Sequence, residues 1–160
     1  MVIRRAWLIF AVLFVIAAWF LWPRPSEEDR VRAVVAAVAA GAEAGDVGDI
    51  MEHVSPRYHG SEDGLGVDPR TLRAGLALQF LRRGPIGVVL SPVEVTITGA
   101  TAHARFDAAV LEGGGKWSEL LPRNGDGWHL EVDLDREEDG EWRVTGHTRT
   151  SWMRGDVRVP

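Results

Sequence analysis

Apolar and polar positions change their spacing twice along this chain. Ala6–Trp22 is an unbroken apolar run, AWLIFAVLFVIAAWFLW. From Ser26 to about Arg83 the apolar residues recur at helical intervals, and from Ile86 onward they alternate with polar ones. Ser26 followed by Glu27, Glu28 and Asp29 is a helix start, with a capping oxygen and acids in the first turn. Val31, Val34, Val35, Val38 and Ala42 form its stripe, and Gly45 ends it. Asp46 caps a shorter helix with the stripe Val47, Ile50, Met51 and Val54, stopped by Ser55-Pro56. Asp68-Pro69 opens a third helix whose apolar face is Leu72, Leu76 and Phe80, flanked by Leu78 and Leu81, and Gly84-Pro85 closes it.

The alternating half predicts two hairpins. In the first, Val93, Val95 and Ile97 face Phe106, Ala104 and Ala102 across a two-residue turn, Gly99-Ala100, while Glu94 meets Arg105 and Thr96 meets His103. The second spans residues 127–152, GWHLEVDLDREEDGEWRVTGHTRTSW, with Glu138, Asp139 and Gly140 in the loop. A regular ladder then sets Leu134 opposite Val144, Val132 opposite Gly146, Leu130 opposite Thr148 and Trp128 opposite Thr150. On the other face it sets Asp135 opposite Arg143, Glu131 opposite His147 and His129 opposite Arg149. Between the hairpins, residues 112–126 read as a Gly-rich connection, with an additional short strand at Trp117–Leu121.

The apolar run is expected to be a membrane anchor. Its 17 residues reach about 26 Å as a helix, the short end of what crosses a bilayer. Arg4-Arg5 on one side and Trp7, Trp19 and Trp22 near the two ends fit interfacial flanks. The rival is a cleaved signal peptide, which wants small residues before the cut; Trp19-Phe20-Leu21-Trp22-Pro23 offers none. Arg4-Arg5 inside puts the remainder outside, the periplasmic side of a bacterial inner membrane. Beyond the anchor lie 15 basic and 23 acidic side chains, and the absence of any basic stripe argues against nucleic-acid binding. With no cysteine, disulfides, thiolate metal sites and cysteine nucleophiles are excluded. The expected division is residues 1–25 as anchor and Pro linker, 26–152 as the domain and 153–160 as a tail.

Three helices followed by a meander of antiparallel strands describe an α+β layer, helices on one face of a curved sheet, preceded by one transmembrane helix. The stretch AEAGDVGDIMEHVSPRY and the closing EDGEWRVTGHTRTSW resemble the nuclear-transport-factor-2-like superfamily, the cone fold shared with ketosteroid isomerase. That resemblance implies a cavity in the cone and makes a homodimer through the sheet face an expectation. It does not carry over the isomerase site: the first helix offers no tyrosine, and the sole tyrosine, Tyr58, follows the second helix.

Chemistry is sparse. Tyr58, His59 and Asp63 share the least regular stretch, residues 57–67, and are the candidate catalytic group, a donor and a base near the cone mouth. His53 and His59 stand six apart across Pro56 with no third ligand implied, so no metal is expected, nor any cofactor. His103, Asp107, His129, Asp133 and His147 fall on the polar strand faces and read as cross-strand partners in solvent. The acids from Asp133 to Glu141 lack the spacing of a calcium loop and contain Arg136. Gly113-Gly114-Gly115-Lys116 lacks the rest of a phosphate loop. The functional expectation is a membrane-tethered, non-enzymatic binding or scaffold domain of the bacterial cell envelope. Its partners would be the bilayer through Ala6–Trp22, a second copy, and a protein or small apolar ligand. The alternative is a small-molecule isomerase, dehydratase or hydrolase-like enzyme using the cone.

Overall fold

The structure is a computed structural model that describes residues 25–62, 65–83, 86–112 and 125–153. The anchor run, Asp63 and the Trp117–Leu121 segment lie outside the described residues, and no described helix is long and apolar enough to cross a membrane. Helix α1 is Glu27–Ala44, opened by a capping box in which the Ser26 hydroxyl accepts from Asp29 N and the Asp29 carboxylate accepts from Ser26 N. Gly45, at φ 68°, closes it. Asp46 caps α2, Val47–Glu52, and Asp68 accepts from Thr71 N at the head of α3, Pro69–Arg83. Each start sits where its capping residue demands and α1 stops at Gly45, whereas α2 ends at Glu52 with His53 as its C-cap, ahead of the expected stop at Ser55-Pro56; Gly84-Pro85 lies outside the described residues.

Two short strands, β1 (Gly60–Glu62) and β2 (Leu65–Val67), form a small hairpin within the stretch expected to be a loop. The main sheet is antiparallel: β3 (Ile86–Leu90), β4 (Glu94–Thr98), β5 (Thr101–Glu112), β6 (Gly125–Arg136) and β7 (Trp142–Met153). Both β3 and β4 pair with the same edge of β5, so they act as one long strand broken at Ser91-Pro92. Ser91 repairs the break: its N–H donates to Asp107 O and its hydroxyl accepts from Asp107 N.

The β4–β5 register is the expected one from Thr98↔Thr101 to Glu94↔Arg105, with Gly99 at φ 65° in the turn. The β6–β7 register is expected only near the tip, where Asp135 pairs with Arg143 and Leu134 with Val144. There Thr145 is bulged out. Asp133 pairs with Gly146, Val132 with His147, Glu131 with Thr148, Leu130 with Arg149, His129 with Thr150 and Trp128 with Ser151. One inserted residue in a two-residue repeat turns every following side chain to the other face. The expected pairs Val132–Gly146, Glu131–His147, His129–Arg149, Leu130–Thr148 and Trp128–Thr150 are therefore wrong. His147 and Arg149 leave the polar outer face for the inner one.

The inner face carries the core. Val31, Val34 and Val35 of α1 pack on Ala102, Ala104, Val132, Leu134 and Trp142. Ile50, Val54, Tyr58 and Val67 form a second cluster with Leu72, Leu76 and Phe80 of α3, and Val144 touches both. Leu78 and Leu81, expected to widen the α3 face, are exposed. Trp142 Nε1 donates to Glu27 at 2.8 Å and Arg30 donates to Gly140 O at 2.8 Å, fastening the start of α1 to the tip of the last hairpin.

Leu134 is fully buried between α1 and the sheet. Leu134→Ala should destabilise the fold by about 2–5 kcal/mol, read as a shift in the denaturation midpoint. An effect below about 1 kcal/mol would mean that this layer is not the core.

Candidate functional site

After α2 the chain runs along the outer edge of β7. Val144 N donates to His53 O, Ser55 N to Val144 O and His59 N to Thr145 O, all within 2.9 Å, and Val54 forms a parallel bridge to Val144. The segment covers an edge that would otherwise expose unpaired backbone groups. The acceptor for His59 N is the carbonyl of the bulged residue, so the bulge and this segment hold each other in place.

Ser55, fully buried, anchors the turn. Its hydroxyl donates to Glu137 Oε1 at 2.7 Å and accepts from Arg57 N at 3.1 Å. Arg57 closes the circuit, its guanidinium 3.3 Å from Glu137 Oε2 and 3.6 Å from Asp135. The Ser55 hydroxyl foremost, with the Arg57 guanidinium beside it, holds the Glu137 carboxyl below the ordinary carboxylate range.

This clamp drives Tyr58 inward. Tyr58 is 1% exposed, and its hydroxyl lies 2.5 Å from His147 Nδ1, with the two rings stacked at an interplanar angle of 15°. The tautomer sets the direction: the phenol donates to Nδ1 when the imidazole proton is on Nε2, and Nδ1–H donates to the phenol oxygen when it is on Nδ1. Gly60 makes room: a Cβ there would stand 2.8 Å from Tyr58 Cζ, closer than side chains approach one another. Beyond His147 the inner face opens. Along β6, Leu134 and Val132 are buried, whereas Leu130 and Trp128 are half-exposed. Along β7, His147 is half-buried and Arg149 exposed, its guanidinium 4.8 Å above the Trp128 ring.

Of the expected trio, the two described members part company. Tyr58 is in the interior, while the neighbouring His59 is exposed and contributes its backbone; Asp63 lies outside the described residues. The base beside Tyr58 is His147, which was expected in solvent. The other four polar strand residues are where they were expected, as outer-face pairs: His103 Nδ1 is 2.7 Å from Asp133 Oδ1, and His129 pairs with Asp107. His147 was missed because the bulge was. The available sign was Gly146, an isolated glycine inside a strand.

No protein-family model matches the sequence, and no curated protein matches it. Solved structures do. A dehydratase candidate of the nuclear-transport-factor-2-like family from Streptomyces avermitilis superposes with a TM-score of 0.64 at 20% identity, covering 79% of this chain and 96% of that one. A scytalone dehydratase candidate from Novosphingobium aromaticivorans gives 0.67 at 11% identity, covering 84% and 89%. A protein of unknown function with a cystatin-like fold from Nostoc punctiforme gives 0.65 at 12%, covering 86% and 98%. The fold is the nuclear-transport-factor-2-like cone. At these identities the likeness extends to the fold, and the site rests on this cone's own residues.

Gly60→Ala should push the phenol away from His147 and cost about 1–3 kcal/mol of stability, seen as a lowered thermal midpoint and a shifted His147 imidazole resonance. An unshifted resonance would mean that the pair does not depend on the space at Gly60. Glu137 gives a pH prediction. Its folded-state value is depressed, so its contribution is complete above the unfolded value, about 4.3, and is lost as pH falls through the lower folded value. The thermal midpoint of the wild type should exceed that of Glu137→Gln by a constant gap near neutrality. The gap should shrink below about pH 4.3; one independent of pH would remove Glu137 from the clamp.

Proposed function

We propose that this chain is a membrane-tethered binding domain of the bacterial cell envelope, whose cone takes a small ligand with an apolar body and a hydrogen-bonding group. The observation that carries the reading is the Tyr58–His147 pair, held inside the cone next to a half-exposed apolar wall of Leu130, Phe106 and Trp128. A phenol and an imidazole sharing one hydrogen bond can open to offer a ligand both a donor and an acceptor. The tether is Ala6–Trp22, with Arg4-Arg5 on the cytoplasmic side and the acidic domain in the periplasm. Pairing between two copies through the polar outer face of the sheet is compatible with the same arrangement.

A second reading has one observation in its favour. The 2.5 Å phenol–imidazole contact is also a proton donor and base within transfer distance, as an elimination or isomerisation needs, and two structural neighbours are named as dehydratase candidates. An enzyme of this kind shows a bell-shaped pH–rate profile that Tyr58→Phe abolishes; a binding domain turns over nothing.

Tyr58→Phe and His147→Gln should each fail to rescue a chromosomal deletion while keeping a folded domain, since the lost hydrogen bond is worth only about 1 kcal/mol. Full rescue by both variants would remove the cone from the function. An export-dependent reporter fused after Pro160 should be active; activity only in a cytoplasmic reporter would overturn the topology.

A further inference from the structure

Helix α3 has two apolar stripes, and the core uses one. Leu72, Leu76 and Phe80 pack half-buried on the Ile50 cluster. Ala74, Ala77, Leu78 and Leu81 recur at helical spacing on a second stripe, about 150° further round at about 100° per residue. There Leu78 is 49% and Leu81 85% exposed, with Ala74 exposed and Ala77 half-exposed. Arg73 and Arg82, both exposed, flank this outer stripe at about 90° on either side, and the exposed Arg70 continues it toward the helix start. From residue 68 to 83 the sequence has four arginines and one acid, Asp68, whose carboxylate accepts from Thr71 N in the cap. That leaves 11 of the 15 basic and 22 of the 23 acidic side chains for the rest of the domain. Asp49 and Glu52 belong to α2, which packs on the inner stripe.

An exposed apolar stripe edged by guanidinium groups is the form of a helix that lies in a membrane interface. The stripe dips below the headgroups, and the arginine stems reach back to the phosphates. A nucleic-acid contact wants the cations in a stripe of their own, and two copies meeting here would bring the arginines of both together. Four residues separate Trp22 from Glu27, at most about 18 Å of chain, so the proposed tether holds even a weak contact at high local concentration. Gly45, at the far end of α1, stands beside Phe80: a Cβ there would be 4.0 Å from Phe80 Cγ. Contact through Leu81 therefore lays α1, about 27 Å long, along the surface instead of upright.

We propose that the outer stripe of α3 is a lipid-contact surface. Leu78 and Leu81 enter the interfacial zone of an anionic phospholipid bilayer, and Arg70, Arg73 and Arg82 hold its headgroup phosphates. The inference goes beyond the cone reading and rests on the tether for its proximity to the bilayer.

The chain has no cysteine, so one introduced thiol carries one label. The test uses the full chain at one copy per lipid nanodisc, with the fluorophore NBD on Leu81→Cys and doxyl-labelled acyl chains as quencher. The probe should be quenched in discs of equal parts phosphatidylglycerol and phosphatidylcholine, and unquenched in phosphatidylcholine alone. Arg73→Gln combined with Arg82→Gln should lower the contact equilibrium about tenfold or more, and high salt should weaken it. A label on Thr96→Cys, exposed on the outer sheet face, should stay unquenched, and one on Phe14→Cys should be quenched in both discs. A silent Leu81→Cys probe alongside a quenched Phe14→Cys overturns the lipid contact and leaves the tether standing. Quenching of Leu81→Cys that is equal in the two lipids and indifferent to the arginine pair overturns the anionic occupant. Protection from aqueous iodide without doxyl quenching puts protein over the stripe and overturns the inference as well. Unquenched labels at both positions overturn tether and contact together.

Discussion

The hydrogen bond from His59 N to Thr145 O, 2.9 Å long, joins the two features on which this domain's interior depends. A bulged strand has a carbonyl that no ladder partner uses, and a segment laid along a sheet edge has N–H groups in need of acceptors. Each supplies what the other lacks. The contact fixes the edge segment so that Tyr58 enters the core, and it stabilises the offset that turns His147 inward to meet it. Ser55, Glu137 and Arg57 brace the same turn from the hairpin tip, so the phenol is located from both sides. The cone's polar pair is thus a consequence of backbone accounting at one edge rather than of two side chains seeking each other.

Most of the architecture was legible because it is encoded locally. Ser26, Asp46 and Asp68 each satisfy orphan amides at a helix start, and Gly99 and Gly140 each occupy a backbone conformation that other residues disfavour. Such signals act within four residues of one another and need no knowledge of the rest of the chain. The β4–β5 register followed directly, because a tight turn leaves no slack. The β6–β7 register was legible for two pairs, Asp135–Arg143 and Leu134–Val144, and then lost. The alternation Val144, Gly146, Thr148 fits a regular ladder as well as a bulged one, since neither Gly146 nor Thr148 demands a face. What decides between them is the edge segment around His59, some ninety residues earlier in sequence, and only the folded structure brings it alongside.

That single residue also explains why the site was half seen. Tyr58 was found by elimination, as the one phenol in a stretch with irregular spacing. His59 was paired with it by adjacency, yet neighbours on an extended segment point in opposite directions, so burying one exposes the other. His147 met none of the criteria for an inner residue: it stands between Gly146 and Thr148, opposite an expected glutamate. Its role becomes visible only from the register.

The bulge also partitions charge. Without it, Arg149 would face the outer surface opposite His129, one more cation among the cross-strand pairs His103–Asp133 and His129–Asp107. With it, the inner face receives a guanidinium and an imidazole, and the outer carboxylates keep their local partners. The cone fold supplies the curvature that makes an interior, and its neighbours share that much at 11–20% identity. What a cone accepts is set by the few polar groups directed into it. In this chain those groups are decided less by which residues the last strand contains than by where it inserts one extra.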